Sequence, residues 1–190
     1  MDTIATFDAR TDDLVTLPSG YRVAITPITR AAKPLIAAAM ARLSPQSSRR
    51  RFFVPRVRLS EQELDALTDV DGDRHYAFGY TGRDARGTVE GIAAAHLVRV
   101  DGDPQTAEIA LTVIDDFQGL GLGRLMLGRL ASAALVRGVA RLRALILPDN
   151  APMLAMLRKY APTARFTYDG DVYIAHIPVP ALTLALPSAA

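Results

Sequence analysis

AEIALTVIDDFQGLGLGRLML, residues 107–127, is the segment from which the fold follows. Glu108 to Val113 is dense in β-branched and apolar residues, as a strand is. Gln118-Gly119-Leu120-Gly121-Leu122-Gly123 then supplies a main chain with few Cβ atoms, and Arg124-Leu125-Met126-Leu127 opens a helical pattern. A strand that runs through such a turn into a helix is suited to phosphate. The first N–H groups of the helix have no partner within it, its dipole favours an anion, and the glycines let a ligand approach the backbone.

Two nucleotide motifs fail here. The dinucleotide fingerprint needs G-x-G-x-x-G, whereas these glycines stand at 119, 121 and 123, and the P-loop's Lys-Ser/Thr pair is absent. Q-x-x-G-x-G does fit, as Gln118, Gly121 and Gly123, with Val113 five residues before the glutamine and an amphipathic helix directly after. With these residues the sequence resembles the GNAT superfamily of acyl-CoA-dependent N-acyltransferases. The resemblance implies that acyl-CoA, most simply acetyl-CoA, is the co-substrate. It implies that Gln118, Gly119, Leu120, Gly121, Leu122, Gly123 and Arg124 cradle the pyrophosphate. It also implies that pantetheine pairs like an extra strand along Leu111, Thr112 and Val113, where a main-chain N–H would face the oxyanion.

Composition narrows the rest. A chain of 190 residues, 49% hydrophobic and 22% charged, is expected to form one soluble globular domain. Lys plus Arg is 22 against 20 for Asp plus Glu, too balanced to argue for nucleic acid. Without cysteine there is no disulfide framework, thiolate nucleophile or Cys-type zinc site, and no two histidines have metal-ligand spacing, so no metal is expected. The acidic start MDTIATFDARTDD is not a secretory signal, and Pro178, Pro180 and Pro187 interrupt the apolar C-terminal stretch, so neither membrane insertion nor export is expected and the cytoplasm is the default.

In chain order, residues 1–17 read as a loose lead-in, 18–178 as the acyltransferase domain and 179–190 as a tail. A strand at Tyr21–Thr26 is followed by a helix from Ala31 to Leu43, capped by Thr29. Ser44-Pro45 starts a second helix, and Ser60 with Glu63 makes a capping box for a short third. Strands at 74–81 and 88–100 precede the central strand. Then come the helix from Arg124, a strand at 142–147, a helix at 151–159 and a hairpin of 165–168 with 172–177, turning at Asp169-Gly170. Antiparallel meander first and βα alternation second give an α/β fold, a mixed sheet flanked by helices, in the GNAT order.

Leu43-Ser44-Pro45, Ser47, Arg51-Phe52-Phe53, Leu59-Ser60, the Asp71–His75 turn and Ala107-Glu108 further resemble the GNAT domain of bacterial Pat-type protein lysine acetyltransferases. Along the strand, Glu108 shares a face with Thr106, Ala110 and Thr112. Its carboxylate is either solvated at a strand edge or turned into a cleft, and the resemblance implies that it is the general base. Such a base has work to do: a lysine amine with a pKa of about 10.4 is almost wholly protonated at neutral pH. Asn150 is either a cofactor contact, as the resemblance implies, or a plain helix N-cap. The family's tyrosine acid, seven residues on, is Leu157 here, and Tyr160 does not match, so a general acid for the thiolate is not assigned. His96 reads as a core or cleft-wall histidine and His75 as a turn residue. Arg49-Arg50-Arg51 is expected to border the acceptor side, where an acidic protein or an anionic acyl group would meet it. The acceptor is thus a protein lysine first and a small-molecule amine second, with a non-catalytic acyl-CoA sensor as the alternative of another class. The oligomeric state, a homodimer included, is left open.

Overall fold

The computed structural model describes residues 14–17, 19–56 and 58–182. An eight-stranded sheet runs in the order β1 (Leu14–Thr16), β2 (Arg22–Pro27), β3 (His75–Arg83), β4 (Val89–Val100), β5 (Asp103–Val113), β6 (Arg141–Ile146), β8 (Tyr173–Pro178), β7 (Arg165–Tyr168). Every neighbouring pair is antiparallel except β5 with β6. That parallel ladder is short. Thr106, Ala107 and Glu108 pair with Arg141, Leu142 and Arg143, and beyond Glu108 the two strands part while β5 continues to Val113 on β4.

Helices cover both faces. α4 (Leu122–Val136) buries Leu122, Met126, Leu127 and Leu130 in one core with Tyr76, Phe78, Leu97, Ile109 and Leu142 of the sheet. α5 (Ala151–Tyr160) adds Leu154 and Leu157 to that core. The opposite face of the sheet, which carries His96, Ala110 and Thr112, lies under α1 (Lys33–Met40) and α2 (Pro45–Phe52), with α3 (Glu61–Thr68) beside α1. Among the described residues no helix is long and apolar enough to cross a membrane.

Several expectations need correction. β1 lies in the stretch read as a loose lead-in and pairs with β2 through Val15 and Val23. It is too short to carry a periodic signal. The helix expected from Ala31 begins as a 3-10 turn at Arg30–Ala32 and becomes α-helical only at Lys33, because Pro34 suits the first turn, and Thr29 makes no side-chain cap. The last hairpin turns at Gly170-Asp171, one residue later than expected, since Asp169 N–H donates to Val172 O and Asp169 Oδ1 accepts from the N–H groups of Asp171 and Val172. Past residue 178 the chain adds a 3-10 turn at Val179–Ala181, whose Val179 is buried in the core.

Candidate functional site

Where β5 and β6 part, a cleft of about 370 Å³ opens between the end of β5, the glycine turn, α2 and α5. Leu111, Thr112 and Val113 form one wall, with a strand edge that β6 no longer covers. Gln118, Gly119, Gly121, Leu122, Gly123 and Arg124 form the floor at the start of α4. Gly121 is the helix N-cap in the left-handed region, φ +89°, and as a glycine it has no side chain to cap the helix, so the first N–H groups of a fifteen-residue helix are presented to the cleft. The Leu120 side chain packs on the hydrophobic core and does not line the cleft. Leu122 is 1% exposed, so it serves the cleft through its backbone.

Gln118 acts as a strut. Its Nε2 donates to Val113 O at 3.0 Å and to Ser47 Oγ at 3.1 Å, tying the turn to the end of β5 and to α2. Asp115 completes that tie. Its carboxylate accepts from Ser44 N–H (3.0 Å), Ser44 Oγ (2.7 Å) and Ser47 Oγ (2.9 Å), so the N-terminus of α2 is capped by its own Ser44 and by a residue of the loop after β5. Burial pushes the Asp115 pKa up, but these hydrogen bonds outweigh it and hold the carboxyl below its ordinary value.

Asn150 caps α5, accepting from Met153 N–H at 3.3 Å, and also lines the cleft. Arg50 and Arg51 line the cleft itself, while Arg49 Nη1 pairs with Asp149 Oδ2 at 2.9 Å and Arg50 Nη2 donates to Asp149 O at 2.8 Å. Arg50 Nε is buried with no partner among the described residues, a donor that an anion in the cleft would satisfy. A glycine-rich helix start, an uncovered strand edge and this orphaned donor together fit the pantetheine and diphosphate of an acyl-CoA.

Sequence reasoning missed part of the wall. Met153, Met156 and Tyr160 of α5 face the cleft, as does Phe117. Their spacing carried a signal: Met153, Met156 and Tyr160 recur on one side of the helix, whereas Leu154 and Leu157 recur on the buried side. Leu157 is fully buried, so nothing at that position could give a proton to a thiolate.

Glu108 stands at the fork, on the last rung of the parallel ladder, and its half-exposed carboxylate accepts from Arg143 Nη2 at 2.8 Å through Oε2. Arg51, which stacks on Phe52 at 4.8 Å, comes near it from α2; burial pushes the Arg51 pKa down to about 10, the Glu108 charge opposing, so the guanidinium stays cationic at neutral pH. A second, smaller cavity of about 70 Å³ adjoins the cleft, sharing Leu43, Arg51 and Thr112 with it and reaching His96 under α1. His96 is only 5% exposed, and its Nδ1 lies 3.0 Å from His75 Nε2. No cluster of metal-ligating residues occurs among the described residues.

The model of the acetyltransferase (GNAT) domain family matches residues 22–161, most of the chain. The chain belongs to the GNAT acetyltransferase family. Acyl transfer from acyl-CoA is the chemistry of that family, and the cleft lies where this GNAT chain leaves β5 without a β6 partner. Among solved structures, the GNAT domain of S. lividans PAT superposes with a TM-score of 0.79 at 25% identity, over 90% of this chain and 99% of that one. A cAMP-binding acyltransferase from Mycobacterium smegmatis superposes at 0.62 with 26% identity, over 94% of this chain and 49% of its own. Acetyltransferase Pat of Mycolicibacterium smegmatis is 40% identical over 90 residues, which are 47% of this chain and 26% of that protein. The chain thus matches about a quarter of that curated relative and about half of the cAMP-binding enzyme.

Proposed function

We propose that this GNAT domain transfers an acyl group, acetyl first, from acyl-CoA to a primary amine by direct attack, with a protein lysine as acceptor. The observation that carries the proposal is the fork at Glu108: the carboxylate stands where the uncovered edge of β5 begins, on the face that α2 only partly covers. The acyl-CoA would lie along Leu111–Val113 with its diphosphate at Gly119, Gly121 and Gly123, beside Arg50, Arg124 and Asn150. Glu108 would take the proton from the amine. A main-chain N–H of the uncovered β5 edge would hold the developing oxyanion, a contribution worth about 2.7–4 kcal/mol where such donors have been removed.

The choice of acceptor rests on the surroundings of Glu108. A polyamine site needs several carboxylates, yet the charged neighbours here are Arg51 and Arg143. Val98, opposite Glu108 across the β4–β5 ladder, is 42% exposed, and Phe53 and Val54 after α2 are 40% and 48% exposed. Exposed apolar side chains, one of them paired with the strand position of the carboxylate, suit the surface of a protein better than a free polycation. The similarity to Pat acetyltransferase points the same way. Release of CoA, followed against a panel of acceptor proteins, lysine peptides and polyamines, tests the proposal: amine-dependent release is expected with protein or peptide lysines. Efficient turnover of polyamines alone would overturn the choice of acceptor, and binding of acetyl-CoA without any release would favour a sensor.

A further inference from the structure

The β4–β5 ladder sets His96 opposite Ala110 and Val98 opposite Glu108, all on one face of the sheet. Opposed Cβ atoms in such a ladder are about 4.5–5.5 Å apart, and residues two apart on one strand about 6.7 Å. Ala110 is therefore a small floor, partly exposed, with Glu108 along the strand on one side and His96 across from it. Ala110 thus stands between the two on one face of the sheet.

The hydrogen bonds fix which His96 nitrogen is basic. His75 Nδ1 lies 3.1 Å from Asp69 O, which can only accept, so that nitrogen carries the proton. In the neutral ring His75 Nε2 is then an acceptor, and His96 Nδ1, 3.0 Å away, must donate to it. This leaves a lone pair on His96 Nε2, which has no hydrogen-bond partner among the described residues and belongs to a side chain bordering the small cavity beside Arg51 and Thr112. Burial, then the Arg51 charge, then His75 hold the His96 pKa well below its ordinary value, so the ring is neutral at physiological pH.

We propose that His96 Nε2 is the hydrogen-bond acceptor that orients an uncharged primary amine over Ala110, beside the Glu108 carboxylate. The role rests on the acyl-transfer function proposed above and adds an orienting residue to it. Two guanidiniums, Arg51 and Arg143, flank the one carboxylate, which disfavours a bound ammonium and favours the amine whose lone pair attacks. His96 accepts one N–H of that amine and so turns its lone pair; His75 acts only through His96, as a positioning residue that fixes the tautomer. The charged and titratable groups around His96 are Arg51 from α2, His75 from β3 and Glu108 from β5.

The experiment has two arms on the full chain. Nitrogen-15 NMR of the three histidines, with His96→Gln for assignment, should find His96 protonated on Nδ1 and bare on Nε2 at neutral pH. In steady-state kinetics, His96→Leu should lower kcat/KM for the amine about 10- to 100-fold at unchanged acetyl-CoA affinity, and His96→Gln, which keeps an acceptor oxygen, should recover part of the loss. The kinetic split separates orientation from packing: the loss should fall on kcat/KM for the amine, with the KM for acetyl-CoA unmoved. If His96→Leu does not fold, His75→Phe carries the kinetic arm, with a smaller loss in kcat/KM for the amine. A proton on His96 Nε2 at neutral pH, or an unchanged kcat/KM for the amine in a folded variant, overturns the proposal. Failure of the function beneath it looks different, since the wild type would then release no CoA with any amine while the tautomer stayed as described.

Discussion

A base has to reach its proton, and Glu108 is held where an amine can arrive: Arg143 fixes one oxygen of the carboxylate at 2.8 Å while the side chain stays half-exposed. Replacing Glu108 by Gln keeps the shape and removes the base. Turnover is expected to fall roughly 10²- to 10⁴-fold with acetyl-CoA affinity unchanged, and to recover partly at high pH, where free amine accumulates. A pH profile at saturating acetyl-CoA checks this, and equal turnover in the variant would remove Glu108 from the mechanism. The glycines of the turn separate by the same reasoning. Gly121→Val forces a branched side chain into φ +89° at the helix start and should abolish acetyl-CoA binding. Gly123→Ala adds a Cβ that meets only Met156 Sδ, at 3.1 Å, and a methionine end can move, so calorimetric titration should find binding weakened and not lost. The face shared by Glu108, Ala110 and Thr112 was legible from strand alternation alone. His96 was not, because its place beside Ala110 depends on the register of β4 against β5.

Local signals were read well and distant ones were not. The Ser60–Glu63 capping box of α3 is present as expected, with Ser60 N–H donating to Glu63 Oε2 at 2.8 Å, because both partners lie within one turn. The second cap of α2 comes from Asp115, 71 residues after Ser44, and no window of sequence holds both. The setting of the α2 arginines is out of local reach for the same reason: Asp149, far along the chain, holds Arg49 through its carboxylate and Arg50, which lines the cleft, through its carbonyl. Asp115→Asn tests how much α2 depends on the distant cap. The expected loss is about 1–2 kcal/mol of stability, or some 2–8 °C in Tm, with a weaker hold on acetyl-CoA because Ser47 and Gln118 share the network. The pH dependence has a definite sign. A carboxyl whose folded pKa is depressed stabilises the protein above its unfolded value of about 3.9 and loses that contribution as pH falls through the lower folded value. Melts between pH 6 and the acid limit should therefore show a decline in the wild type that is shallower in Asp115→Asn.

At the scale of the whole molecule the sheet is two blades, β1 to β5 and β6, β8, β7, joined by the three-residue ladder of Thr106–Glu108 with Arg141–Arg143 and by α4 and α5 behind it. An acyl-CoA in the cleft would touch β5, the start of α4, α2 and α5, and so fasten the two blades at the point where their own pairing stops. A ligand that binds only the folded chain stabilises it by about 2.7 kcal/mol when present at 100 times its Kd, which for a domain of this size raises Tm by roughly 5–10 °C. That rise is expected with acetyl-CoA for the wild type and for Glu108→Gln, whose cleft is intact, and should be absent for Gly121→Val. Charge reversal at Arg50 and Arg51 should reduce it too, since both line the cleft, and added salt should weaken the wild-type response. A full rise in the arginine variant would mean that those side chains do not hold the cofactor, and a full rise in Gly121→Val would mean that the diphosphate does not sit at the glycine turn.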